Sequence, residues 1–144
     1  MYANRNFDSS VAFPPPRGLG LVLALFAFGF LQAFGEVGNY SLYVDENRSL
    51  WGMGDNDHGQ LGDGTTTQRH TPVQVVSSGV VSVSAYVHTA FIKSDGSLWV
   101  MGYNAYGELG DGTTTQRNTP IEIISSGVVS VSAGTHFTTF LKSD

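Results

Sequence analysis

From Tyr40 to the end of the chain, apolar and polar residues alternate in short runs, and clusters rich in Ser, Gly, Asp and Thr separate the runs. A period of two marks a strand with one buried face. Ala90-Phe-Ile-Lys93 and Leu98-Trp-Val-Met101 flank Ser94-Asp95-Gly96-Ser97, which predicts a hairpin closed by a two-residue type I′ turn at Asp95-Gly96. Thr71-Pro72-Val-Gln-Val-Val76 and Thr119-Pro120-Ile-Glu-Ile-Ile124 read as strands with Pro at the first residue, where a missing N–H is tolerated. In them Val73, Val75, Ile121 and Ile123 point one way, Gln74 and Glu122 the other. Ser77-Ser-Gly79 and Ser125-Ser-Gly127 read as turns, and Val80–Ser84 and Val128–Ser132 as the strands that follow.

The N-terminal part follows another pattern. Arg5 and Arg17 lie ahead of an apolar run, Gly18–Phe34, that carries one polar side chain, Gln32. No amphipathic period breaks it, which disfavours a buried core helix. A basic segment, an apolar segment and small residues at Ala33 and Gly35 match an export signal, with cleavage expected after Gly35. An uncleaved anchor is the alternative, since 17 residues sit at the lower limit for crossing a bilayer. Residues 1–35 are therefore expected to form an N-terminal hydrophobic helix, as signal peptide or membrane anchor. Both readings place the rest of the chain outside the cytoplasm: secreted, periplasmic or at the cell surface, or held there by a single membrane pass.

Residues 49–85 and 97–133 are copies. At an offset of 48 residues, 27 of 37 positions are identical. A partial third copy precedes them, with Tyr40–Trp51 matching His88–Trp99. The expected organisation is 36–48 as a partial unit, then 49–96 and 97–144 as full units of about four short strands. Such a unit cannot bury both of its faces alone and needs neighbours on either side. The last copy stops at Lys142-Ser-Asp144, where the earlier one continues Gly-Ser-Leu-Trp, which suggests a fragment. Counting back from the lysines, Tyr40, His88 and Phe137 share one slot.

These residues resemble the regulator-of-chromosome-condensation repeat, in its bacterial alpha-tubulin-suppressor-like branch. The match runs His88-Thr89, then Asp95-Gly96-x-Leu98-Trp99, then Gly102-x-Asn104-x-x-Gly107-Glu108-Leu109-Gly110, with Glu108 where the family usually has Gln. The earlier copy keeps Trp51 and Gly54-x-Asn56-x-x-Gly59-Gln60-Leu61-Gly62. The resemblance implies an all-β partial β-propeller of about two to two and a half four-stranded blades, taken from a ring that usually has seven. It also implies a packing role for the slot holding His88. Trp51 and Trp99 fall at the same phase of the repeat, which favours packing between blades over stacking platforms for carbohydrate.

Composition narrows the function classes. There is no Cys, so no disulfide or thiolate metal site is available. The net charge is −5, with no Lys/Arg cluster, which argues against nucleic acid as a direct partner. Leu61–Arg69 and Leu109–Arg117 superficially suggest a phosphate loop, but no Lys follows the glycines and no helix is expected there. Asp55-Asn-Asp57 starts like a calcium loop, yet Gly59 and Thr66 stand where ligands are needed, and the second copy reads Tyr103-Asn-Ala105. His58, His70, His88 and His136 do not recur as a set. No catalytic residue, metal site or cofactor is expected. Asn39-Tyr-Ser41 and Asn47-Arg-Ser49 match the glycosylation acceptor pattern.

The leading expectation is an exported, non-catalytic scaffold that binds a protein or other macromolecule through its loops. The positions that vary between copies mark that loop: Asp55, Asp57 and His58 in one, Tyr103 and Tyr106 in the other. Open blade faces would also favour self-association. The resemblance implies guanine-nucleotide exchange as an alternative, and an exported propeller hydrolase is a third class for which no nucleophile stands out.

Overall fold

In the computed structural model, which describes residues 31–34 and 39–143, ten strands form three antiparallel sheets. The first sheet orders β1 (Leu31–Phe34), β2 (Tyr40–Val44), β3 (Leu50–Gly54) and β4 (Arg69–Val76) side by side. The second repeats this with β5 (Val80–Ala85), β6 (His88–Lys93), β7 (Leu98–Gly102) and β8 (Arg117–Ile124). The third holds β9 (Val128–Ala133) and β10 (Thr138–Lys142). These are two four-stranded blades and half of another, an all-β arrangement with no helix among the described residues.

The sequence unit and the blade are out of phase. Unit 49–96 supplies β3 and β4 to one blade and β5 and β6 to the next, so every full unit ties two blades covalently. The predicted N-terminal helix, signal or anchor lies outside the described residues except at Leu31–Phe34, which is strand and pairs with Ser41–Val44. Cleavage after Gly35 would remove that strand.

Two local expectations are corrected. The loop between β6 and β7 holds three residues, because Lys93 N donates to Ser97 O (3.0 Å) and Gly96 N to Lys93 O (2.9 Å). A type I′ turn needs positive φ at both central residues, and here only Gly96 has it (79°). The preceding blade builds the same loop with Arg48 at φ 62°. Pro72 does not open its strand; it sits inside β4, an outer edge strand, where the register with β3 breaks between Gly52 and Gly54. A bulge on an edge strand has no ladder bond for Pro to remove.

The core lies between blades. Tyr40, Leu42 and Val44 from β2 meet Leu61, Phe91 and Met101 in one cluster. Ala90 and Ile92 from β6 meet Leu109 and Val128 in the next. Burial alternates along β2, whereas His88 to Ile92 are all buried, because β6 has a blade on each side.

Candidate functional site

One end of the blades gathers the long β3–β4 and β7–β8 loops (residues 55–68 and 103–116) and the tight turns at 86–87 and 134–137. Each long loop is wound around one buried asparagine. Asn56 Nδ2 donates to Asp63 Oδ1 (3.0 Å), Thr65 O (3.0 Å) and Thr67 O (3.3 Å), while its Oδ1 accepts from Leu61 N (2.9 Å). Asn104 repeats this with Asp111, Thr113, Thr115 and Leu109. Asn56 is thus spent on its own loop, which takes it out of the calcium-like triplet Asp55-Asn-Asp57. Among the described residues no group of three His, Cys, Asp or Glu side chains converges as a metal site would need.

The phosphate-like segment carries its own anion. Asp63 Oδ1 accepts from Thr65 N (3.0 Å) and Thr65 Oγ1 (2.7 Å), and Arg69 closes the loop on Asp63 Oδ2. Asp111 is held in the same way by Thr113 and Arg117. Desolvation raises the Asp111 pKa, but the hydrogen bonds from Thr113, Arg117 and Asn104 outweigh it and hold the carboxyl at about 2. Gly62 approaches the next blade so closely that a Cβ there would lie 2.1 Å from Met101 Sδ.

Blades are stitched at the slot shared by Tyr40, His88 and Phe137. Tyr40 Oη donates to His88 O (3.2 Å) and lies 3.3 Å from Thr89 Oγ1, which donates to Gln60 O (2.8 Å). One blade further, Thr138 Oγ1 gives its proton to Glu108 O (2.7 Å), so His88 Nε2, 2.7 Å away, donates to Thr138. His88 Nδ1 is then a buried acceptor without a partner among the described residues. Burial pushes the His88 imidazole down to about 4, against a smaller opposing pull from the Glu108 charge.

Over this frame runs a row of rings contributed by loops of three successive blades. His58 meets Tyr103 edge-on at 4.8 Å, Tyr103 lies 6.4 Å from Tyr106, and Tyr106 lies 4.4 Å from His136. Tyr106 is 68% exposed. Beneath it the Glu108 side chain is fully buried; Oε2 accepts from Tyr106 N (2.9 Å), and Oε1 faces His136 Nδ1 at 3.5 Å without a hydrogen bond.

Of the loop residues expected from sequence, His58, Tyr103 and Tyr106 come together in this row. Asp55 and Asp57 lie at its blade-one end, with Asp57 exposed and Asp55 Oδ1 accepting from Asp57 N. His136 and Glu108 join this row without having been expected from sequence. Glu108 was visible as a departure from Gln60, but His136 sits in a turn one residue longer than its copy, and no spacing rule places it on Glu108. Trp99 stacks on Phe91 (6.3 Å) against blade one and carries Lys93 Nζ 4.3 Å above its ring. Trp51 stacks on Tyr43 in the same way, and both tryptophans are partly exposed. Asp95 and Gly96 lie at the opposite end of the blades.

A family model, the regulator of chromosome condensation (RCC1) repeat, matches residues 49–91 and 95–141. No curated protein matches the chain. Among solved structures, human WBSCR16 superposes with a TM-score of 0.68 at 24% identity, over 77% of this chain and 30% of that one. Prp20p from Saccharomyces cerevisiae, whose structure was described with its binding to Gsp1p and histones, gives 0.65 at 21% identity over 77% and 30%. Yeast RCC1 (Prp20) bound to Kap60 gives 0.65 at 19% identity over 77% and 29%. The chain thus spans about 30% of the length of these structural neighbours.

Proposed function

The chain belongs to the regulator of chromosome condensation (RCC1) repeat family, and from that premise we propose that it is a non-catalytic scaffold that captures a protein partner on the loop end of its blades. The observation that carries this reading is the ring row His58–Tyr103–Tyr106–His136, where loops of three blades combine into one exposed strip. Rigid amphipathic rings supply contact area at low entropic cost, and the loops beneath are braced by Asn56, Asn104 and the Asp–Arg clasps. That Prp20p and yeast RCC1 engage other proteins supports a protein as the ligand class. Nucleotide exchange on a small GTPase has no support here beyond the shared fold.

We place this activity outside the cytoplasm, from Arg5, Arg17 and the apolar run Gly18–Phe34. The test is capture of source-cell extracytoplasmic proteins by the native chain and by a variant with His58, Tyr103 and Tyr106 all changed to Ala. Partners should be lost from the triple variant and kept when Ser94 and Asp95, at the opposite end, are changed to Ala. Equal capture by both variants would refute the loop-end reading.

A further inference from the structure

We propose that the loop end between blades two and three is a seat for a cationic side chain of the partner, a guanidinium above all, placed against Tyr106 and His136 over the Glu108 carboxylate. This rests on the loop-end reading and names the chemistry it recognises.

Glu108 is the starting point. Its side chain is fully buried, yet one oxygen has no hydrogen-bond donor among the described residues. A buried carboxylate oxygen left without a donor is costly, and the cost is removed by a cationic donor. The group that faces Oε1 is His136, 3.5 Å away and 54% exposed, with its ring against Tyr106. A side chain that exposed can rotate aside, and its departure opens Oε1 to the loop end. The arginines of the two long loops are committed elsewhere: Arg69 to Asp63 and Arg117 to Asp111.

The charge is particular to this blade. At the equivalent position the preceding blade has Gln60, whose Oε1 accepts from His58 N (2.9 Å) as Glu108 Oε2 accepts from Tyr106 N. The loop needs only a side-chain oxygen there, so the carboxylate adds a negative charge that the turn does not require. Over it lies a ring whose face suits guanidinium stacking, and a planar fork can reach the carboxylate while lying on that ring. The chain's net charge of −5 has the sign that draws a basic partner in.

The test titrates the full chain with a fluorescent tetra-arginine peptide, using the tetra-citrulline peptide as a neutral isostere. The arginine peptide should bind at least about tenfold more tightly than the citrulline one. Glu108→Gln should cost about tenfold, and Tyr106→Ala several-fold. Glu122→Gln, which removes the same charge from the exposed face of β8, should leave binding unchanged. Gln60 shows that the loop accepts Gln, and far-UV circular dichroism confirms folding of each variant; Tyr106→Ala is an independent reading at an exposed position. No binding of the arginine peptide, equal binding of both peptides, or equal losses from Glu108→Gln and Glu122→Gln would overturn the seat. If the triple loop variant loses its partner while Glu108→Gln keeps it, the loop-end reading survives and the cation seat falls.

Discussion

At the scale of single residues, the two copies act as internal controls, because the same residue meets a neighbour in one and open space in the other. Gly62 has φ 72° and Gly110 φ 68°. A methyl group at Gly62 would collide with Met101, while at Gly110 no atom of the described residues lies within 4 Å. The left-handed backbone therefore penalises both alanine variants by about 1 kcal/mol, and overpacking adds about 1–3 kcal/mol at Gly62 alone. Urea unfolding of Gly62→Ala and Gly110→Ala should separate by that amount; equal midpoints would show that the inter-blade contact contributes nothing. Both glycines were legible as motif residues. What the sequence hides is the partner: Met101 is 39 positions from Gly62, and the two meet only because blades stack. The pairing of His136 with Glu108 was hidden for the same reason, being a contact between the loop of one blade and the turn of the next.

At the scale of elements, alternation and turn residues carried most of the strand pattern, and the errors came from hydrogen bonds that side chains make to the turns. Asp95 Oδ1 accepts from both Ser97 N (2.9 Å) and Ser97 Oγ (2.6 Å), which favours the three-residue loop over the two-residue one. In the preceding blade Asn47 fills the Asp95 slot, and the loop is held instead by Asp45, in the Lys93 slot, whose Oδ1 accepts from Asn47 N (2.9 Å) and Ser49 N (2.8 Å). The buried imidazole between β6 and β10 makes stability depend on acid. His88 is held neutral, its pKa lowered from 6.5 to about 4 by burial. The unfolded chain takes up a proton more readily than the folded one, so the stabilisation is complete above about pH 6.5 and is lost as pH falls towards 4. The expected loss is roughly 2–3 kcal/mol over that window. His88→Phe, the residue found in the same slot as Phe137, should be weaker at pH 7 for want of the Thr138 bond but flatter between pH 6.5 and 4. Denaturation midpoints measured across that range decide it, and parallel profiles for the two proteins would exclude His88 as the source.

At the scale of the whole molecule, the governing fact is that the unit visible in the sequence is not the unit that packs. The 48-residue offset is unmistakable, yet the boundary between copies is arbitrary, and 49–96 cuts each blade between β2 and β3 or between β6 and β7. Blade boundaries fall instead at Ser77-Ser-Gly79 and Ser125-Ser-Gly127, the turns that the sequence marks as plainly as it marks the hairpins. Packing decides between the two frames, because buried apolar area, the main favourable term in stacking, lies between sheets. A chain ending at Ile124 keeps β1 to β8 and the cluster of Leu42, Leu61, Phe91 and Met101 apart from its outer neighbours, so it should retain a cooperative unfolding transition. A chain ending at Gly96 respects the sequence repeat but strips β7 and β8 from β6, removing Met101 from that cluster and leaving His88 to Ile92 paired on one side only, with β5. It should lose the β-sheet circular dichroism signal and the transition with it. If instead the chain cut at Gly96 proved as cooperative as the one cut at Ile124, stacking between blades could not be what holds the molecule together, since only the longer chain preserves two complete sheets face to face.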